Sequence, residues 1–122
     1  MKALHRELGL SDRELAEIIV EIAEILSEYG NDVDLIKKLT ETYKDNLKKL
    51  GLALFVAGRY SGMAIFSSAP YEGMITLRNM TRIISELVNG KPKEEIIREI
   101  EDEIKYQVKT MESEKYTHKY FW

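Results

Sequence analysis

The stretch KKLGLALFVAGRYSGMAIFSSAP, residues 48–70, decides how this chain is read. It is nearly free of charge, crowded with Gly, Ala and Ser, and interrupted once by Arg59-Tyr60. A membrane span needs about 20 apolar residues and tolerates a central Arg poorly. The run from Leu50 to Phe66 is shorter than that and carries Arg59 in its middle. It therefore reads as a helix that another helix can approach closely. Ile36, Thr40, Tyr43, Leu47, Leu50, Leu54, Ala57, Ser61, Ala64 and Ser68 follow at alternating spacings of three and four, a phase that a turn would interrupt. The expectation is one long helix over 33–66, with Gly51 as a bend rather than an end.

Working outward, the punctuation is helical throughout. Ser11-Asp12-Arg13-Glu14 has the spacing of a capping box, in which the Ser hydroxyl and the Glu carboxylate satisfy each other's backbone amides. The helix that follows runs to Tyr29, Gly30 supplies the left-handed residue that ends it, and Asn31 or Asp32 caps the next. Ser67 to Pro70 is a break, Asn89-Gly90 closes a later helix, and Lys91-Pro92 opens the last. No window alternates strictly between apolar and polar residues with β-branched enrichment. The predicted class is all-α: a single-domain bundle over 1–122, of about four to five helices with one long central helix and an aromatic tail at 116–122.

Composition excludes whole classes. A chain of 122 residues suits one domain. Without Cys there is no disulfide, thiolate metal site or cysteine nucleophile. Abundant Lys, Glu and Arg with a lone Gln, Gln107, lean towards a thermophile. A net charge of −3 argues against a wholly nucleic-acid-coating surface but leaves room for a basic face. MKALHRELGLSDRE carries acidic residues where a signal peptide would need an apolar run, so a cytoplasmic location is expected.

Around the opening stretch, Ala53, Ala57 and Ser61 recur every four residues with Gly58 and Gly62 beside them, walled by Leu52, Phe55, Val56, Met63 and Phe66. This groove serves either a tight crossing within the bundle, or another subunit or an extended ligand. Glu14, Glu17, Glu21, Glu24 and Glu28 form an acidic ridge, which repels itself unless paired. It either zips to Lys37, Lys44 and Lys48 or faces a basic partner. In the last helix Ile97, Ile100, Ile104, Val108 and Met111 form a core stripe, while Glu94 with Arg98 and Glu101 with Lys105 stand at ion-pair spacing.

The chemistry points to binding rather than catalysis. His5 and His118 lie near opposite ends, with no Asp or Glu at ligand spacing in a helix-presented motif. No phosphate loop or nucleophile elbow is present, so no catalytic residue, metal or cofactor is expected. Two clusters are candidates for nucleic-acid backbone: Arg78 with Arg82, off the apolar line of Met74, Leu77, Thr81, Ile84 and Val88, and Lys44, Lys48 and Lys49 with Arg59 further along. Pairing with acidic residues of the chain itself is the competing reading. Expected protein-interface residues are Ala57, Gly58, Ser61 and Gly62 in the groove and Tyr120, Phe121 and Trp122 in the tail, whose aromatic area needs something to rest on.

AGRYSGMAIFSSAP, residues 57–70, leading into LRNMTRIISEL, residues 77–87, in a short cysteine-free all-α chain, resembles the small helical subunit of archaeal CRISPR effector complexes, the type I-A kind especially. The resemblance spans residues 50 to 88. It implies a non-catalytic protein that repeats along a ribonucleoprotein filament and contacts its own copies, larger subunits and single-stranded nucleic acid through scattered Lys and Arg. The acidic ridge departs from a plain strand-binding surface. A self-associating helical adaptor, or an inhibitor whose acidic ridge mimics phosphates, is the alternative. No small-molecule substrate is evident.

Overall fold

The computed structural model describes residues 3–61 and 70–113. These form six α-helices: α1 (Leu4–Glu7), α2 (Asp12–Glu28), α3 (Asp32–Tyr43), α4 (Leu47–Ser61), α5 (Pro70–Val88) and α6 (Lys93–Ser113). The described residues contain no strand.

The start of α2 follows from its sequence. Ser11 Oγ accepts the Glu14 amide at 3.0 Å while the Ser11 amide donates to Glu14 Oε1 at 2.9 Å, which closes the capping box. Gly30, at φ +73°, leaves the helix in the left-handed region that favours Gly. Asn31 Oδ1 then accepts the Asp34 amide at 2.9 Å and begins α3. One turn earlier in the chain, Gly9 (φ +79°) ends the short α1, with the Leu10 amide donating to the His5 carbonyl at 2.9 Å and the Gly9 amide to the Arg6 carbonyl at 3.0 Å.

The long helix over 33–66 is not formed. The chain breaks at 44–46, where Asn46 Oδ1 accepts the Lys49 amide at 3.1 Å and starts a new helix. Gly51 lies inside α4. Because a three-residue turn separates α3 and α4, the heptad count survives the break by coincidence. The seam it marked is largely outer surface: Leu47 is 78% exposed, and Ile36 and Leu54 are exposed as well. The buried residues are Leu35 and Leu39 of α3 and Leu52, Ala53, Val56 and Ala57 of α4.

The central position belongs to α2. It packs against α1, α3, α4, α5 and α6, and Leu15, Ala16, Ile18, Ile19, Val20, Ile22 and Ala23 are all fully buried. A helix apolar over most of its circumference must be enclosed, which leaves only its Glu edge for solvent. Of the α6 stripe, Ile97, Ile100, Ile104 and Val108 are buried as expected and Ile96 joins them, while the Met111 side chain lies outside the described residues. Among the described residues, no helix is long and apolar enough to cross a membrane.

Candidate functional site

The least expected feature is a sealed polar cluster beneath α1. His5 is fully buried, held between α2 and α5. Its Nδ1 lies 2.7 Å from Glu72 Oε2 and its Nε2 lies 2.7 Å from Asp12 Oδ1. The His5 backbone amide also donates to Glu72 Oε2 at 3.1 Å. Arg6 completes the set, donating from Nε to Asp12 Oδ1 at 3.1 Å and from Nη2 to Asp12 Oδ2 at 2.7 Å. Burial pushes the Asp12 carboxyl up, but the hydrogen bonds and charges of Arg6 and His5 outweigh it and hold it below the usual carboxylate range. Glu72 is fully buried, and its Oε1 meets no hydrogen-bond partner among the described residues. Carboxylates therefore stand beside His5 without any ligand-spaced motif in its sequence neighbourhood. Asp12 was hidden within a capping signal, and Glu72 is remote in sequence, with no local pattern linking it to His5.

A second feature is the outer face of α5. The line Met74, Leu77, Thr81, Ile84 and Val88 is not its core stripe. Met74 is 54%, Leu77 44% and Val88 71% exposed. The buried face carries Ile75, Met80 and Ile83 together with the polar Glu72, Thr76 and Asn79. Each of these polar residues has a partner: Thr76 Oγ1 donates to the Glu72 carbonyl at 2.9 Å, and Asn79 Nδ2 donates to the Ile75 carbonyl at 2.9 Å and also to Glu103 of α6. Partnered polar residues facing inward are what misplaced the stripe in the sequence reading. Leu4 and Leu8 of α1 with Leu47, Gly51, Leu52 and Phe55 of α4 line an apolar groove of about 350 Å³, with Lys48 also on its wall.

The expected cations are scattered. Lys49 pairs with Glu14 at 3.3 Å. Arg82 bonds Glu86 at 3.0 Å and the Asn79 side-chain oxygen at 3.0 Å. Lys44, Lys48 and Arg78 are exposed and make no ion pair among the described residues. The Arg59 side chain lies outside the described residues. Of the expected interface positions, Ala57 and Gly58 are buried inside the bundle, while Gly62, Tyr120, Phe121, Trp122 and the Ser61 side chain lie outside the described residues, as do Met63 and Phe66.

The acidic ridge draws its counter-charges from places other than Lys37, Lys44 and Lys48. Glu14 pairs with Lys49, Glu17 with Arg13 at 3.3 Å, and Glu21 and Glu24 share Lys93 of α6 at 3.1 and 3.2 Å. Glu94 pairs with Arg13 through two contacts of 2.7 Å rather than with Arg98. Glu101 and Lys105 pair at 3.0 Å as their spacing suggests.

What fold and surface define is an all-α protein with an internal polar clasp and an outward apolar face edged by Arg78. No protein-family model, curated protein or solved structure matches the chain. The likeness to small CRISPR subunits thus stands on the residues quoted for it alone.

Proposed function

We propose that this chain is a non-catalytic helical subunit that assembles with protein partners through the outer face of α5. The observation that carries the reading is the exposed row Met74, Leu77 and Val88, one side of a helix whose other side is core. Apolar side chains aligned on one face serve as anchors for a partner helix, and Arg78 beside them selects an acidic edge. Among the described residues, the constellation of catalytic composition, His5 with Asp12 and Glu72, is buried, which supports a binding role over a catalytic one. The test compares complexes recovered from the native cell on the parent chain, on Leu77→Glu, and on Glu95→Lys, which alters the surface of α6. Stoichiometric partners lost only with Leu77→Glu support the reading; partners retained by that variant reject it.

A second reading is that the chain lies along nucleic-acid backbone in a ribonucleoprotein complex of the CRISPR effector kind. Exposed Lys44, Lys48 and Arg78 favour it. A labelled single-stranded RNA should then shift in a salt-dependent manner, and Arg78→Glu should weaken it without lowering helicity. An RNA that fails to bind at low salt removes this reading and leaves the protein-assembly one intact. The inhibitor reading, in which the acidic ridge occupies a basic site, requires the pairs from Glu14 to Glu24 to open first.

A further inference from the structure

We infer that His5 is a proton-held clasp: α1 stays docked only while the ring carries protons on both nitrogens. Two contacts of 2.7 Å join the ring to carboxylate oxygens, one at Nδ1 and one at Nε2. Each such contact needs one hydrogen between its two heavy atoms, because lone pairs facing at that distance repel. A neutral imidazole supplies one, so the fold holds a second. The oxygens on either side already accept other N–H groups, Glu72 Oε2 from the His5 backbone and Asp12 Oδ1 from Arg6 Nε. Oxygens that accept two donors behave as carboxylates, which places both protons on the ring.

The surroundings give this proton its leverage. Among the described residues, the charged groups around the ring include Arg6 on α1 itself, Asp12 on α2 and Glu72 on α5, and Lys105 of α6 interacts with Asp12. From α4 the groove wall against α1 brings Lys48 and otherwise apolar side chains. Imidazolium and guanidinium balance two carboxylates. Removing the ring proton leaves an excess negative charge without solvent and turns one contact repulsive. Because α1 is only four residues long, it cannot hold its shape alone and depends on these polar contacts together with the packing of Leu4 and Leu8 against the core. Its release would bare Ala3 and Leu10, now buried, and remove the Leu4 and Leu8 wall of the groove it shares with α4.

The sign follows from linkage. With α1 released, the three groups hold one proton above about pH 7, because a free imidazole is neutral there and carboxyls are ionised. Docked, they hold two. Each proton taken up on docking changes the docking constant about tenfold per pH unit, and docking weakens as pH rises.

The experiment uses the full chain and two measurements. Nitrogen NMR of the His5 ring at about pH 8 should show both nitrogens protonated, and a neutral tautomer overturns the proposal. Hydrogen exchange, corrected for intrinsic rate, should show protection at Leu8, Gly9 and Leu10 falling about tenfold per pH unit between about pH 7 and about pH 9. Ile100 and Ile104 in α6 should hold their protection over that range. A flat profile at α1, or an equal fall in α6, overturns the clasp. His118→Gln should leave the α1 profile unchanged, and a profile abolished by that variant places the proton elsewhere.

Discussion

Asp12 accepts three hydrogen bonds from two neighbours, His5 and Arg6, and the consequence is visible at low pH. Its carboxyl is depressed in the fold, so its contribution to stability is fully present above the unfolded value of 3.8 and is lost as pH falls through the folded value. Stability of the parent should therefore decline below about pH 4, and in Asp12→Asn that part of the decline should be missing, with stability lower at neutral pH; urea unfolding across the acid range checks both. Ser11 is simpler. Its hydroxyl satisfies one amide of α2, and Ser11→Ala should cost about 1 kcal/mol in urea unfolding. The two residues differ in how far the sequence announces them. Ser11 and Glu14 act three residues apart, within the reach of a local pattern. The meeting of His5 with Glu72 depends on how α1 and α5 pack, and no spacing along the chain encodes it.

At the scale of elements, Gly51 separates what periodicity can say from what it cannot. A Gly after Lys48-Lys49-Leu50 looks like an end, and the heptad phase argues that the helix passes through; the phase was right about Gly51 and blind to Asn46. A short turn that preserves phase is invisible to a count of spacings. A cap such as Asp45-Asn46 is the cue that should outweigh it. Because Gly51 is exposed in the interior of α4, with nothing within 4 Å of where a Cβ would stand, Gly51→Ala should stabilise the protein by roughly 0.5–1 kcal/mol and raise its melting temperature by a few degrees. Ala57 tests the opposite case. It is 1% exposed, so Ala57→Leu should overpack the bundle and cost about 1–3 kcal/mol, measured the same way.

For the whole molecule, the all-α class was legible from the caps and the missing alternation, and the core stripe of α6 from Ile97, Ile100, Ile104 and Val108. The faces of α3, α4 and α5 were not, because apolar residues line both sides and three inward polar residues of α5 find partners only in the folded chain. Charge follows the same rule: the acidic edge of α2 is tied across to α6 by Lys93. Burial opposes the charge on that ammonium, but the hydrogen bonds it donates to Glu21 and Glu24 raise its affinity for the proton. Lys93→Met removes the tie and leaves like charges adjacent, so its melting temperature should drop further below the parent's at low salt than at high salt. An equal drop at both would assign Lys93 to packing.

The central place of α2 also sets an order in time. Ribosomes make the chain from its amino end, so the most enclosed helix of the bundle emerges while two of its principal covers, Pro70–Val88 and Lys93–Ser113, are still untranslated. Leu15, Ile18, Ile19 and Ile22 must spend that interval without their final neighbours. A nascent chain halted before residue 93 should therefore bind chaperones that seek apolar segments, and the full chain should let them go.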